Sequence, residues 1–189
     1  MHFLNIRNKL NMKKLLFIFI SLLAISCSND DKTTETDKTS INLVTGVDFR
    51  QTTDDMGLKL GNPNTFVKNK FLIFPNPARN NNNLYISAQE NITAIWLVPA
   101  TPEKNYQSVD FSTILNSSLY SEQSIISSSK LSLNELSTSN PKLDIKTLTT
   151  GYYKIFVKIG GVIYWDNLYV YTDAEDNEEH FNTVKNFWK

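Results

Sequence analysis

Apolar and polar residues alternate most regularly between Gly151 and Tyr171. Tyr153, Ile155, Val157 and Ile159 interleave with Lys154, Phe156 and Lys158, which is the period of a half-buried strand. Gly160-Gly161 can supply the positive φ angles of a two-residue hairpin turn. Val162 to Tyr171, rich in aromatic and β-branched residues, is the returning strand. A two-residue loop sets Ile159 opposite Val162, Val157 opposite Tyr164 and Phe156 opposite Trp165. The same register brings Asp166 to Ile155 on the apolar face, which predicts a bulge near Asp166-Asn167 that turns the carboxylate outward.

Other short runs of this kind fill the chain from Leu43 to Thr172, where helical periodicity is scarce. Val44 to Gln51, Met56 to Leu60 and Phe66 to Phe74 read as strands, with a turn at Gly61-Asn-Pro-Asn64. Leu84 and Ile86 mark another strand, and Asn91 to Val98 the next. These elements predict a single all-β domain over 43–172, long enough to bury most of its unfolded surface. Residues 100–142 hold a helical turn at Asp110–Leu115, with Asp110 as cap, and a Ser-rich run over 121–132. Beyond the domain, 173–189 reads as a short amphipathic helix with Phe181, Val184, Phe187 and Trp188 at helical spacing. Its acids cluster in the first turns, where the helix dipole favours them.

The N-terminal stretch has a different character. Lys13-Lys14 precedes the apolar run Leu15 to Ile25, which is too short to span a bilayer and has the layout of a secretory signal over 1–26. Met12 is a candidate initiator of that signal. The only cysteine, Cys27, closes Leu23-Ala-Ile-Ser-Cys27, which resembles a bacterial lipobox. The resemblance implies lipid transfer to the Cys27 thiol and cleavage after Ser26. Several acyl chains on one residue hold a protein at a membrane far better than a single chain does. Ser28-Asn-Asp-Asp31 resembles the acidic export tag of surface lipoproteins from Bacteroidota-type bacteria, although a plain solvated linker reads equally well. The polar residues up to 42 form a flexible tether. A lone exported cysteine also excludes an internal disulfide.

Phe71-Leu-Ile-Phe-Pro-Asn-Pro-Ala, the polar loop Arg79 to Asn83, and Leu84-Tyr-Ile86 together resemble the opening of type A sorting domains of the type IX secretion system. Asn91 to Val98 matches that family's next apolar strand. Leu143-Asp-Ile-Lys-Thr-Leu-Thr-Thr-Gly-Tyr-Tyr resembles its closing signature. The resemblance covers 71–171 and implies an Ig-like antiparallel β-sandwich. Residues 100–142 separate its two halves by more than the family normally allows, and 173–189 follow where the family ends in a basic segment.

Charge and chemistry narrow the function further. The chain balances 19 basic against 19 acidic residues, but four of the basic ones, Arg7, Lys9, Lys13 and Lys14, lie in the signal segment. The remainder carries 15 basic and 19 acidic residues, a net of −4, which excludes the basic footprint of a nucleic-acid binder. His180 is the one histidine left after signal removal, so a zinc site of His and Cys cannot be assembled, and a Ser-His-Asp set would have to use His180 in the acidic tail, where nothing resembles a nucleophile elbow. Asp54-Asp55 and Asp173, Glu175 and Asp176 lack the ligand spacing of a calcium loop. No cofactor, metal or catalytic set is expected. The surplus is aromatic. Phe156, Trp165, Tyr169 and Tyr171 fall on the second sheet face, either covered by the insertion and the tail or exposed as a strip for protein or glycan contact. The expectation is a non-catalytic lipoprotein of the outer membrane, with the cell surface as one placement, serving as an interaction or assembly module. The alternatives are a glycan-binding accessory and a type IX secretion substrate.

Overall fold

A computed structural model describes residues 40–114, 119–172 and 177–189. The signal peptide, Cys27, most of the tether, Leu115, Asp173, Glu175 and Asp176 lie outside these residues. In chain order the strands are β1 (Leu43–Val44), β2 (Gly46–Phe49), β3 (Leu58–Gly61), β4 (Phe71–Phe74), β5 (Ala78–Arg79) and β6 (Asn83–Ala88). They continue with β7 (Ile92–Pro102), β8 (Leu131–Leu133), β9 (Lys142–Asp144), β10 (Gly151–Ile159) and β11 (Val162–Tyr171). The α-helices are α1 (Phe111–Ile114), α2 (Glu122–Ser128) and α3 (Asn177–Trp188).

The β10–β11 hairpin is the spine. Its register pairs Ile159 with Val162, Val157 with Tyr164 and Phe156 with Trp165, as the alternation requires. Gly160 and Gly161 turn at φ 55° and 82°, angles that a side chain at both positions would resist. β7 pairs antiparallel along the other side of β10, and β8 extends the sheet from β7. Two short parallel pairings, β1 with β7 and β5 with β11, complete this six-stranded sheet, so it is not wholly antiparallel. The bulge expected near Asp166-Asn167 is absent. The β10–β11 ladder is unbroken, and the irregularity falls instead between Lys158 and Ile159 where β10 meets β7. Asp166 therefore stays in one cross-strand row with Ile155 and Leu97.

One face of the sheet packs on the antiparallel sheet β4–β6–β9, giving a sandwich-like core. Ile95, Leu97, Ile155, Val157 and Leu168 meet Phe71, Ile73, Leu84, Ile86 and Leu143 there, all buried. This contact removes large apolar areas from water at about 25 cal/mol per Å2 and is the main stabilising term. The run expected as one strand over Phe66 to Phe74 is divided, with a 3-10 turn at Phe66–Asn69 before β4.

The opposite face is covered by two separate clusters. Residues 100–142 supply Val109, Phe111, Tyr120 and Ile125, which pack on Trp96, Phe156 and Trp165. Helix α2 starts at Ser121, whose Oγ accepts a hydrogen bond from the Ser124 N–H at 3.2 Å, and Ile125 is its buried residue. The β2–β3 hairpin and α3 cover the other half, where Val47, Phe49, Leu60, Val184 and Trp188 gather around Tyr169. Three of the four apolar residues expected on α3 pack inward, whereas Phe187 is partly exposed.

Candidate functional site

The upper edge of β11 pairs with β5, but lower down asparagine side chains take the place of a neighbouring strand. Asn64 Nδ2 donates to the Trp165 carbonyl at 2.8 Å. Asn76 Nδ2 donates to the carbonyls of Asn167 and Asp48 at 2.9 and 3.1 Å, and its Oδ1 accepts from the Tyr169 N–H at 3.1 Å. The backbone of Asn76 also exchanges two 2.7 Å hydrogen bonds with that of Arg50. The Phe-Pro-Asn-Pro segment thus acts as a corner. Both of its X-Pro peptide bonds are cis, and Asn76 is fully buried between the large sheet and β2.

Behind this corner sits a buried cluster of charge. Asp48 Oδ2 accepts from Arg50 Nη2 at 2.6 Å and lies 2.5 Å from Lys68 Nζ. Asp48 and Arg50 are 3% and 6% exposed, while Lys68, on the 3-10 turn, reaches the cluster from its rim. Asp48 Oδ1 is buried without a hydrogen-bond partner among the described residues. Gly57 stands beside that oxygen at φ 78°, and a Cβ there would collide with it. Burial pushes the Asp166 carboxyl up to about 7, with Asp48 reinforcing the effect and Arg50 and Lys68 opposing it. Asp166 accepts from the Asn167 N–H at 2.7 Å, which also favours its charged form.

Arg50 forms part of the wall of an open groove of about 580 Å3 beside α3, with Phe49, Met56, Tyr171, His180 and Phe181 also lining it. Met56 stands at its rim, 92% exposed. His180 stacks on Tyr171 at 5.7 Å and 24°, and its Nδ1 lies 3.2 Å from the Tyr169 hydroxyl. The groove offers aromatic faces beside cationic and imidazole groups.

A second buried cation lies on the insertion side. Lys154 is fully buried, and its Nζ donates to the Ser40 carbonyl and the Tyr120 hydroxyl, each at 3.1 Å. The ammonium also lies over the rings of Trp165 and Tyr120, at 4.1 and 5.1 Å from their centroids. Burial pushes its pKa down to about 7. Ser40 is where the tether meets the domain, so this contact fixes that junction.

The aromatic residues expected as a contact strip are placed otherwise. Phe156, Trp165 and Tyr169 are buried beneath α2, the insertion and α3, because the strip is the very surface those elements need for their own apolar faces. Tyr171 alone of the four reaches the groove. Asp54-Asp55 forms an exposed turn, with Asp55 Oδ2 accepting from the Gln51 N–H at 2.9 Å. Among the described residues no group of His, Cys, Asp and Glu is arranged to hold a metal ion. The Asp48, Arg50 and Lys68 cluster and the Lys154 cage were missed by sequence reasoning. Their only signal was charge at positions of strand-like segments, which reads first as a solvated face. Compared with protein-family models, curated proteins and solved structures, the chain matches none.

Proposed function

We propose that this chain is a lipoprotein anchored through Cys27, with a β domain that serves as a non-catalytic interaction or assembly module at the outer membrane. The observation that carries this reading is Leu23-Ala-Ile-Ser-Cys27 directly after the apolar run Leu15 to Ile25, followed by a polar tether. The attachment of Ser40 to Lys154 supports it, because a fixed junction gives the tether a defined exit from the domain. The groove beside α3 is the surface offered to a partner protein, and an Ig-like strand arrangement is the finer description of the sandwich. Metabolic labelling with an alkynyl fatty acid tests the anchor. Label on the wild type, absent from Cys27→Ala together with loss from the membrane fraction, is the expected result; an unlabelled wild type refutes the anchor. Proteinase digestion of intact and lysed cells then separates surface from periplasmic placement.

A second reading is a type IX secretion substrate. It is favoured by β4, the Pro-Asn-Pro corner and β6 forming one continuous unit over the segment that resembles a sorting domain. Deleting 71–189 from a reporter fusion should abolish export on this reading, and normal export of the shortened fusion excludes it.

A further inference from the structure

The β4–β6–β9 sheet has two unlike faces. Phe71, Ile73, Leu84, Ile86 and Leu143 point into the sandwich core, so by strand alternation Phe74, Asn83, Tyr85, Ser87, Lys142 and Asp144 point out. Phe74 and Tyr85 belong to none of the three buried apolar clusters. They stand directly opposite each other on neighbouring strands, with ring centroids 5.7 Å apart and planes 16° from parallel. At that distance parallel rings are offset, and each leaves part of a face uncovered. Tyr85 is 39% exposed and Phe74 is half-buried. On the next strand, Lys142 lies opposite Tyr85 and Asp144 opposite Asn83. Among the described residues nothing takes a hydrogen bond from the Tyr85 hydroxyl or the Lys142 ammonium.

Size and charge choose between classes of partner for this face. A fully covered aromatic side chain buries roughly 150–250 Å2, so two part-buried rings fall well short of the roughly 800 Å2 that each side gives to a stable protein interface. The Lys, Asp and Ser around them are residues that such interfaces avoid. A nucleic-acid strand needs several cations along its phosphates, whereas this face offers Lys142 and, beside it, a Lys146 ammonium 3.8 Å from Asp144. A neutral sugar chain meets both conditions. The C–H face of a pyranose is apolar and covers one ring, while its hydroxyls sit at the rim and both donate and accept. Rings so close to parallel favour a flat chain over a coiled one, and equatorial linkages keep successive pyranoses in a flat ribbon.

We propose that Phe74 and Tyr85 form the stacking platform of a binding site for neutral, equatorially linked glycan chains, with Asn83, Lys142 and Asp144 bonding the sugar hydroxyls. The platform lies across the sandwich from Phe156, Trp165 and Tyr169, which are covered. It is separate from the groove beside α3 and does not depend on the lipid anchor, so either can fail without the other.

The test is calorimetric titration of the full mature chain, held in a detergent without a sugar headgroup. The probes are cellohexaose, xylohexaose and chitohexaose, with maltohexaose as the coiled, axially linked control. The expected result is saturable binding of at least one of the first three, with maltohexaose weaker or not bound. Tyr85→Ala should weaken that binding about tenfold or more, and Tyr85→Phe, which keeps the ring, should stay within about threefold of the wild type. Lys142→Ala, at an exposed position, should weaken it about threefold or more. No saturable binding of any of the three in the millimolar range overturns the proposal. Undiminished binding by Tyr85→Ala with a native circular dichroism spectrum does so too, as does an equal loss in Tyr85→Phe and Tyr85→Ala. An unchanged affinity in Lys142→Ala overturns the role of that ammonium, and tighter binding of maltohexaose overturns the choice of a flat chain.

Discussion

Replacing Lys154 with methionine should remove a pH dependence rather than simply weaken the domain. The ammonium is fully buried, and its hydrogen-bonding contacts are a backbone carbonyl and a tyrosine hydroxyl, neither of them an anion. At about 1.4 kcal/mol per pH unit, the gap between 10.5 and about 7 corresponds to roughly 5 kcal/mol against the charged form. The folded pKa is depressed, so the unfolded chain binds more protons through the interval from about 7 to 10.5. Stability therefore rises with pH across that window and is lost as pH falls back through the folded value.

Other buried groups act outside the window. The raised carboxyl of Asp166 makes its contribution greatest below 3.8, and that contribution is lost as pH rises to about 7. Burial pushes the Tyr152 hydroxyl up, so its effect begins only above 10.0. Urea unfolding between pH 7.5 and 9.5 should thus show the wild type gaining up to about 1.4 kcal/mol per pH unit. Lys154→Met should show a flat profile and a midpoint at pH 7.5 at least equal to that of the wild type. The thioether fills similar space and loses two hydrogen bonds worth about 1 kcal/mol each, less than the penalty it removes. Parallel pH profiles for the two proteins would refute the reasoning.

Two further substitutions test the corner and the cover. Asn76→Ala leaves the carbonyls of Asp48 and Asn167 and the Tyr169 N–H without that partner, so a loss of about 3 kcal/mol or more is expected in urea unfolding; a loss below about 1 kcal/mol would mean the asparagine is not what closes the β11 edge. Trp188→Ala empties a buried site against Tyr152 and the β2–β3 hairpin, with an expected cost of about 3–5 kcal/mol and earlier proteolysis of α3 than of the sandwich core.

Residue periodicity carried the β10–β11 hairpin a long way. The turn, the register and the pairing of Phe156 with Trp165 all follow from alternation and two glycines, because strand period and hairpin loop length are local properties. The cap at Asp110 and the apolar stripe of α3 were legible for the same reason, whereas α2 falls in a stretch that read only as Ser-rich. Asp110 Oδ1 indeed accepts from the Ser112 N–H at 2.9 Å, and this bonding together with the Ser112 hydroxyl lowers its pKa. The candidate site was not legible. Asp48, Lys68, Asn76 and Asp166 come from four separate segments, and no local pattern says that they meet.

What the sequence determined alone is the β10–β11 hairpin, with its turn and register, since these rest on neighbours along the chain. The tertiary structure decided which faces stay wet. It kept Asp166 inward without a bulge, where burial pushes its carboxyl up and Arg50 and Lys68, arriving from outside the hairpin, only partly oppose that. It covered Phe156, Trp165 and Tyr169, because the insertion and α3 have apolar stripes of their own to bury. Burial of a charge or an aromatic face depends on what packs against it, and those contacts are made by residues far away in the chain.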